Sequence, residues 1–127
     1  MRTAHTITLL LALGLTTGAA AAVVDCDNAA STVDINECAA RDQKAVEVKL
    51  NTAYQAALKS LGDGEGAATK KALVLAQRAW IKFREADCKA LYELWSGGTM
   101  RDMVFLNCMR RRAEQRIKEL DEFENPH

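Results

Sequence analysis

The chain has 127 residues, 49% of them apolar and 27% charged, with 17 basic and 17 acidic side chains. Apart from its first residues that is enough for one domain with one core, and a formal net charge of zero makes nucleic acid a poor partner. The only proline is Pro126, so nothing before it breaks a helix.

The first element is a leader. Arg2 gives a positive start, "ITLLLALGL" is a short apolar run, and "TTGAAAA" supplies small residues for cleavage. This is the pattern of a secretory signal peptide over residues 1–22, with Val23 as the new N-terminus and residues 23–127 as the domain. The apolar run falls short of the ~20 residues a membrane span needs. Asp25, just before Cys26, is unsuited to lipidation, so no lipid anchor is expected. Removing Arg2 leaves 16 basic against 17 acidic side chains, with acids in excess over residues 25–65 and bases in excess over residues 101–118. The expected location is periplasmic or secreted.

Three helices follow. The first is expected from Asp34, where Glu37 stands three residues after an N-cap acid, to Leu61, with Gly62 as the stop. Its inward stripe is Ile35, Cys38, Val46, Leu50, Ala53, Ala57 and Leu61. The second is expected over 67–95, between the turns "GDGEG" and "SGG", with Leu73, Ala76, Trp80, Phe83, Leu91 and Leu94 inward. The third is expected after Thr99 as N-cap, with Met103, Leu106, Ile117 and Leu120 inward. No strand-like alternation appears. The fold class is all-α, an antiparallel three-helix bundle with a looser N-terminal segment over 23–33.

Cys26, Cys38, Cys88 and Cys108 form an even set without CxxC spacing, which in an exported domain reads as two disulfides rather than a metal or redox motif. Cys38 and Cys88 stand about 35 Å from the first turn along their helices, by a 1.5 Å rise. Cys88 and Cys108 are balanced about Gly97 and Gly98. The pairing favoured is Cys38–Cys108 between helices and Cys26–Cys88 for the lead-in, although Cys38–Cys88 fits the heights as well.

The stretch "AQRAWIKFREADC", residues 76–88, carries the most chemistry. In helical projection Ala76, Trp80 and Phe83 share a core face. Gln77, Ile81, Arg84 and Cys88 form the adjacent column, and Arg78, Lys82 and Glu85 look outward. Gln77 and Arg84 bond a neighbouring helix at the edge of the core or meet a partner, since an arginine beside tryptophan is a common hot-spot composition.

That stretch, with Leu73 before it and "LNTAY" at 50–54, resembles the LprI-like lysozyme-inhibitor family. The family shows Leu-Asn-x-x-Tyr on one helix, then Ala-Gln-x-x-Trp-Ile-x-(Phe/Tyr)-Arg-x-x-x-Cys on the next. A Gly-Gly turn and a final Cys followed by Arg and Leu match Gly97, Gly98, Cys108, Arg116 and Leu120. Ala113 stands where the family often has Thr, and the lipobox of the lipoprotein member that names the family is missing. The resemblance implies an exported protein that binds a lysozyme-type muramidase.

Catalysis is not expected. The histidines are His5, in the leader, and His127, at the end; the thiols go to disulfides, and Glu85 and Asp87 point to different helix faces. "GDGEG" lacks the lysine and hydroxyl of a phosphate loop. No cofactor or metal is expected. Two readings stand: a muramidase inhibitor, or a non-enzymatic envelope structural or adaptor module that binds another protein or an anionic wall polymer. For the first, the contact surfaces are Asn51, Tyr54, Gln77 and Arg84, and the bundle end at Gly97, Gly98 and Arg101. The acids over 25–47 suit a basic lysozyme. For the second, the run Arg110 to Arg112 is the feature, unless those arginines pair with Glu114 or with acids of the first helix. The oligomeric state is left open.

Overall fold

The computed structural model describes residues 23–126. The expected leader and His127 lie outside the described residues. Three helices account for most of the described residues: α1 (Thr32–Leu61), α2 (Ala67–Leu94) and α3 (Arg101–Glu124). No helix among the described residues is long and apolar enough to cross a membrane.

Ser31, not Asp34, caps α1. Its hydroxyl accepts a hydrogen bond from the Asp34 backbone N–H at 3.0 Å, which lets the helix begin at Thr32. Gly62 ends α1 at φ 65°, a left-handed conformation that only glycine adopts without strain. Across the following turn, Lys70 bonds Asp63 at 2.7 Å and holds that carboxyl below its ordinary pKa. Gly66 is sterically required there, because a Cβ at this position would overlap the Leu61 carbonyl. The second turn differs from expectation: Thr99 caps nothing, and Met100 precedes α3 without a side-chain hydrogen bond.

α1 packs chiefly on α3, α2 also leans on α3, and α1 and α2 scarcely touch each other. One core cluster joins Val46, Leu50 and Ala57 of α1 to Leu73 of α2 and Ala113 and Leu120 of α3. Val46, Leu50, Ala53, Ala57 and Leu61 of α1 and Ile117 and Leu120 of α3 therefore face inward as their spacing predicts, while Ile35, Cys38, Met103 and Leu106 are half-buried outside that cluster. On α2 the apolar stripe is split. Leu73 is buried, and Trp80 and Leu91 are half-buried, but Ala76, Phe83 and Leu94 face solvent. The enclosed column is Leu73, Gln77, Arg84 and Cys88, so the inward face of α2 lies a step round from the expected one and is partly polar.

The disulfides also differ from expectation. Cys26 bonds Cys38 and Cys88 bonds Cys108, with Cα atoms 5.7 and 5.6 Å apart. Neither Cys26–Cys88, nor Cys38–Cys108, nor Cys38–Cys88 forms. The lead-in turns back at once on α1 instead of crossing to α2. Asp25 organises the turn by accepting from the Asn28 amide at 2.7 Å and the Asp27 N–H at 3.1 Å, which lowers its own pKa. Arg41 then donates to the Val24 carbonyl at 3.2 Å. Cys38 sits beside, not within, the buried α1 column of Ala39, Gln43, Val46 and Leu50, so its sulfur is offered to the lead-in. Cys88 and Cys108 meet inside the α2–α3 seam beside Met109, almost wholly buried. Height along the bundle, counted in residues, does not say which faces meet.

Candidate functional site

α1 and α2 leave a groove between them because both lean on α3. It is a cleft of about 210 Å³ lined by Glu47, Leu50, Asn51, Tyr54, Gln77, Ile81 and Arg84. Four of the residues singled out in the sequence, Asn51, Tyr54, Gln77 and Arg84, therefore share one site. They come together because positions 47, 51 and 54 rise on one face of α1 while 77, 81 and 84 rise on the facing side of α2.

Arg84 is 5% exposed and forms the polar floor. Its Nη1 donates to Glu47 Oε1 at 2.5 Å, and Nη2 reaches Glu47 Oε2 at 3.5 Å. Its guanidinium carbon stands 4.7 Å from the centre of the Trp80 ring, and its Nε is enclosed without a partner. Gln43 adds a second donor to Glu47 at 2.6 Å. Gln77, also buried, accepts from Arg116 Nε at 3.0 Å, and Arg116 stands on the Trp80 ring as well. Trp80 is thus a half-buried platform between two arginines, packed against the core. Much of the bonding capacity of Gln77 and Arg84 holds helices together. Asn51 is exposed and Tyr54 half-buried at the mouth.

Glu47 is the residue the sequence reading missed. A signal was available, because Glu47 precedes Asn51 by one helical turn and Tyr54 by two, putting a carboxylate on their face.

Gly97, Gly98 and Arg101 are in and just after the α2–α3 turn, away from the middle of α2 where the groove lies, and do not join it. Gly97 has φ 87°, which the tight turn requires. The Arg101 guanidinium lies 3.7 Å from the centre of the Tyr92 ring, and Phe105 meets that ring edge-on at 5.9 Å. Its Nε is enclosed and unpartnered, and no carboxylate among the described residues pairs with the group.

The basic run of α3 is largely neutralised in place. Arg110 pairs with Glu114 at 2.7 Å, and Arg112 pairs with Asp87 of α2, not with an α1 acid, at 2.7 Å. Arg111 is exposed and has no carboxylate partner among the described residues. It borders a cleft of about 450 Å³ that also contains Leu91, Trp95 and Val104. Asp87, Cys88 and Cys108 are close enough to suggest a metal site, but both sulfurs are committed to the disulfide and do not offer thiolates.

Residues 26–120 match the family model described as lysozyme inhibitor LprI. The chain belongs to that family. An uncharacterised protein of Rhizobium meliloti (strain 1021) is 36% identical over 107 residues, covering 77% of each chain. The crystal structure of a DUF1311 family protein from Pseudomonas putida KT2440 is similar in fold, with a TM-score of 0.64 at 22% identity over 73% of this chain and 93% of that one. The matched segment runs from Cys26 to Leu120, so it includes both disulfides and the whole α1–α2 groove.

Proposed function

We propose that this LprI-family chain is an exported, non-catalytic protein that binds and blocks a lysozyme-type muramidase. The observation that carries the reading is the family match over residues 26–120. The two disulfides fit a protein that matures in an oxidising compartment outside the cytoplasm. Signal cleavage near Val23 and release into the periplasm or medium complete the proposal.

The stapled bundle loses little conformational freedom on docking, which favours affinity. A muramidase cleft carries catalytic carboxylates, and Arg101 is suited to meet them. Its guanidinium carbon lies 3.7 Å from the centre of the Tyr92 ring, it has no carboxylate partner among the described residues, and it follows Gly97 and Gly98 in the same turn region, where small residues allow close approach. The groove of Asn51, Tyr54, Gln77 and Arg84 is a second contact surface, with Asn51 and Tyr54 as the groups free to touch a partner.

The alternative, an envelope adaptor that binds an anionic wall polymer, draws on Arg111 and the cleft beside it. Turbidity clearing of bacterial walls by several lysozyme types, with the purified exported form added, separates the readings. Inhibition at micromolar protein, weakened at least tenfold by Arg101→Ala with the melt unchanged, supports end-on docking. Inhibition unaffected by Arg101→Ala but lost in Asn51→Ala moves the contact to the groove. Failure to slow any of the enzymes overturns the inhibitor reading in favour of the adaptor.

A further inference from the structure

α2 carries an apolar face besides the partly polar one that the bundle covers. Ala68, Ala72, Leu75, Ala76, Ala79, Phe83, Ala86, Ala90 and Leu94 are all exposed, with Leu75 at 65%, Phe83 at 57% and Leu94 at 76%. At 100° per residue these nine fall within an arc of about 100°. The strip runs the whole length of the helix. Its members recur at an eleven-residue interval: 68, 79 and 90; 72, 83 and 94; 75 and 86. That interval keeps a seam nearly straight along an α-helix, so it suits a second helix lying alongside. An apolar strip of this length is more than scattered surface hydrophobicity.

We propose that this face is the interface of an antiparallel, two-fold symmetric homodimer, with α2 of a second copy as its occupant. The argument is that the strip is complementary to itself when reversed. Ala68 and Leu94, Ala72 and Ala90, Ala76 and Ala86, and Ala79 and Phe83 are all centred on Ile81. A two-fold axis at that level sets Phe83 of one copy against Ala79 of the other, and Leu94 against Ala68. Large side chains thus fall opposite small ones, the arrangement that lets two surfaces interdigitate. Charges on the flank follow the same reversal. Lys71, on the flank, meets Glu93 of the other copy, the pair centred within a residue of the same level. In an antiparallel helix pair each flank faces its own counterpart, so a flank carrying Lys71 before Glu93 is self-attracting. Glu93 already has Lys89 at 3.2 Å on its own helix, an exposed pair of little worth by itself, and Lys71 of the other copy adds a second cation. Lys82 meets itself across the axis, where its long stem directs the ammonium to water. The α1–α2 groove lies on a different side of α2 and stays open in both copies.

Sedimentation equilibrium of the exported form tests the proposal. The expected mass is that of two chains at tens of micromolar. Phe83→Asp is expected to raise the dissociation constant by ~30-fold or more for each substituted copy, with helix content by circular dichroism unchanged. Glu93→Lys is expected to weaken the dimer, and adding Lys71→Glu to restore it. A single-chain mass at hundreds of micromolar overturns the proposal, and so does a dimer indifferent to Phe83→Asp. Failure of the double reversal to restore association overturns the antiparallel geometry.

Discussion

Arg84 is held at 5% exposure by one carboxylate, one indole face and a helix seam. The two partners in this ion pair do not stand in the same place. Glu47 keeps 37% of its side chain in solvent, whereas Arg84 keeps 6%. Deleting the carboxylate strands a buried cation, which costs about 3–5 kcal/mol where burial is complete. Deleting the cation leaves a carboxylate that water can reach. We therefore expect Glu47→Ala to lower stability by about 3 kcal/mol and Arg84→Met, which keeps the packing on Trp80, by about 1 kcal/mol. Urea melts of the two variants check this, and the reverse order would refute the account. Trp80, half-buried and shared between two arginines, is neither a purely apolar core residue nor a free surface anchor.

The elements are unequally secured. Cys88–Cys108 closes a 20-residue separation across the turn between α2 and α3 and lies within the seam that holds α2 to the molecule. Cys26–Cys38 spans 12 residues and fastens only the lead-in to the first turns of α1. Both close loops of a size worth roughly 3 kcal/mol in the chain-entropy model, but they act on different opening events. Replacing Cys88 and Cys108 together by Ala is expected to lower global stability by about 3 kcal/mol or more. Replacing Cys26 and Cys38 by Ser is expected to leave the melt much closer to wild type and to expose residues 23–31 to proteolysis. Thermal melts and limited proteolysis distinguish the outcomes; equal melting losses would show that the lead-in belongs to the cooperative core.

At the scale of the whole molecule, α3 is the hub. Leu120, fully enclosed, and Ala113, likewise at 0% exposure, fill the centre where the helices meet. Leu120→Ala is expected to cost about 2–5 kcal/mol, whereas Leu75→Ala, on the exposed strip, is expected to cost less than ~0.5 kcal/mol in the monomer at high dilution. Denaturation followed by circular dichroism measures both. Ala113 has its methyl in a fully closed space, so a hydroxyl placed there by Ala113→Thr needs a hydrogen-bond partner that the surrounding packing must supply.

Much of this was determined by the sequence itself. Helix number, the Gly62 stop, the inward faces of α1 and α3 and the family motif follow from local propensity, turn chemistry and spacing, which depend on neighbours along the chain. Asn51 and Tyr54 were legible as one face of α1 and Gln77 and Arg84 as one face of α2, and the family motif named all four, but that the two faces meet was not legible. What only the tertiary structure decided is which face of α2 turns inward. Periodicity alone favoured Ala76, Phe83 and Leu94, but α2 carries two candidate faces, that apolar strip and the mixed column of Leu73, Gln77, Arg84 and Cys88. The bundle buries the one that lets Arg84 reach Glu47, Gln77 reach Arg116 and Cys88 reach Cys108. The disulfide partners were hidden for the same reason. A sulfur's height follows from a count of residues, but the direction it points depends on how three helices rotate against one another, and that rotation is set by contacts between residues far apart in the chain.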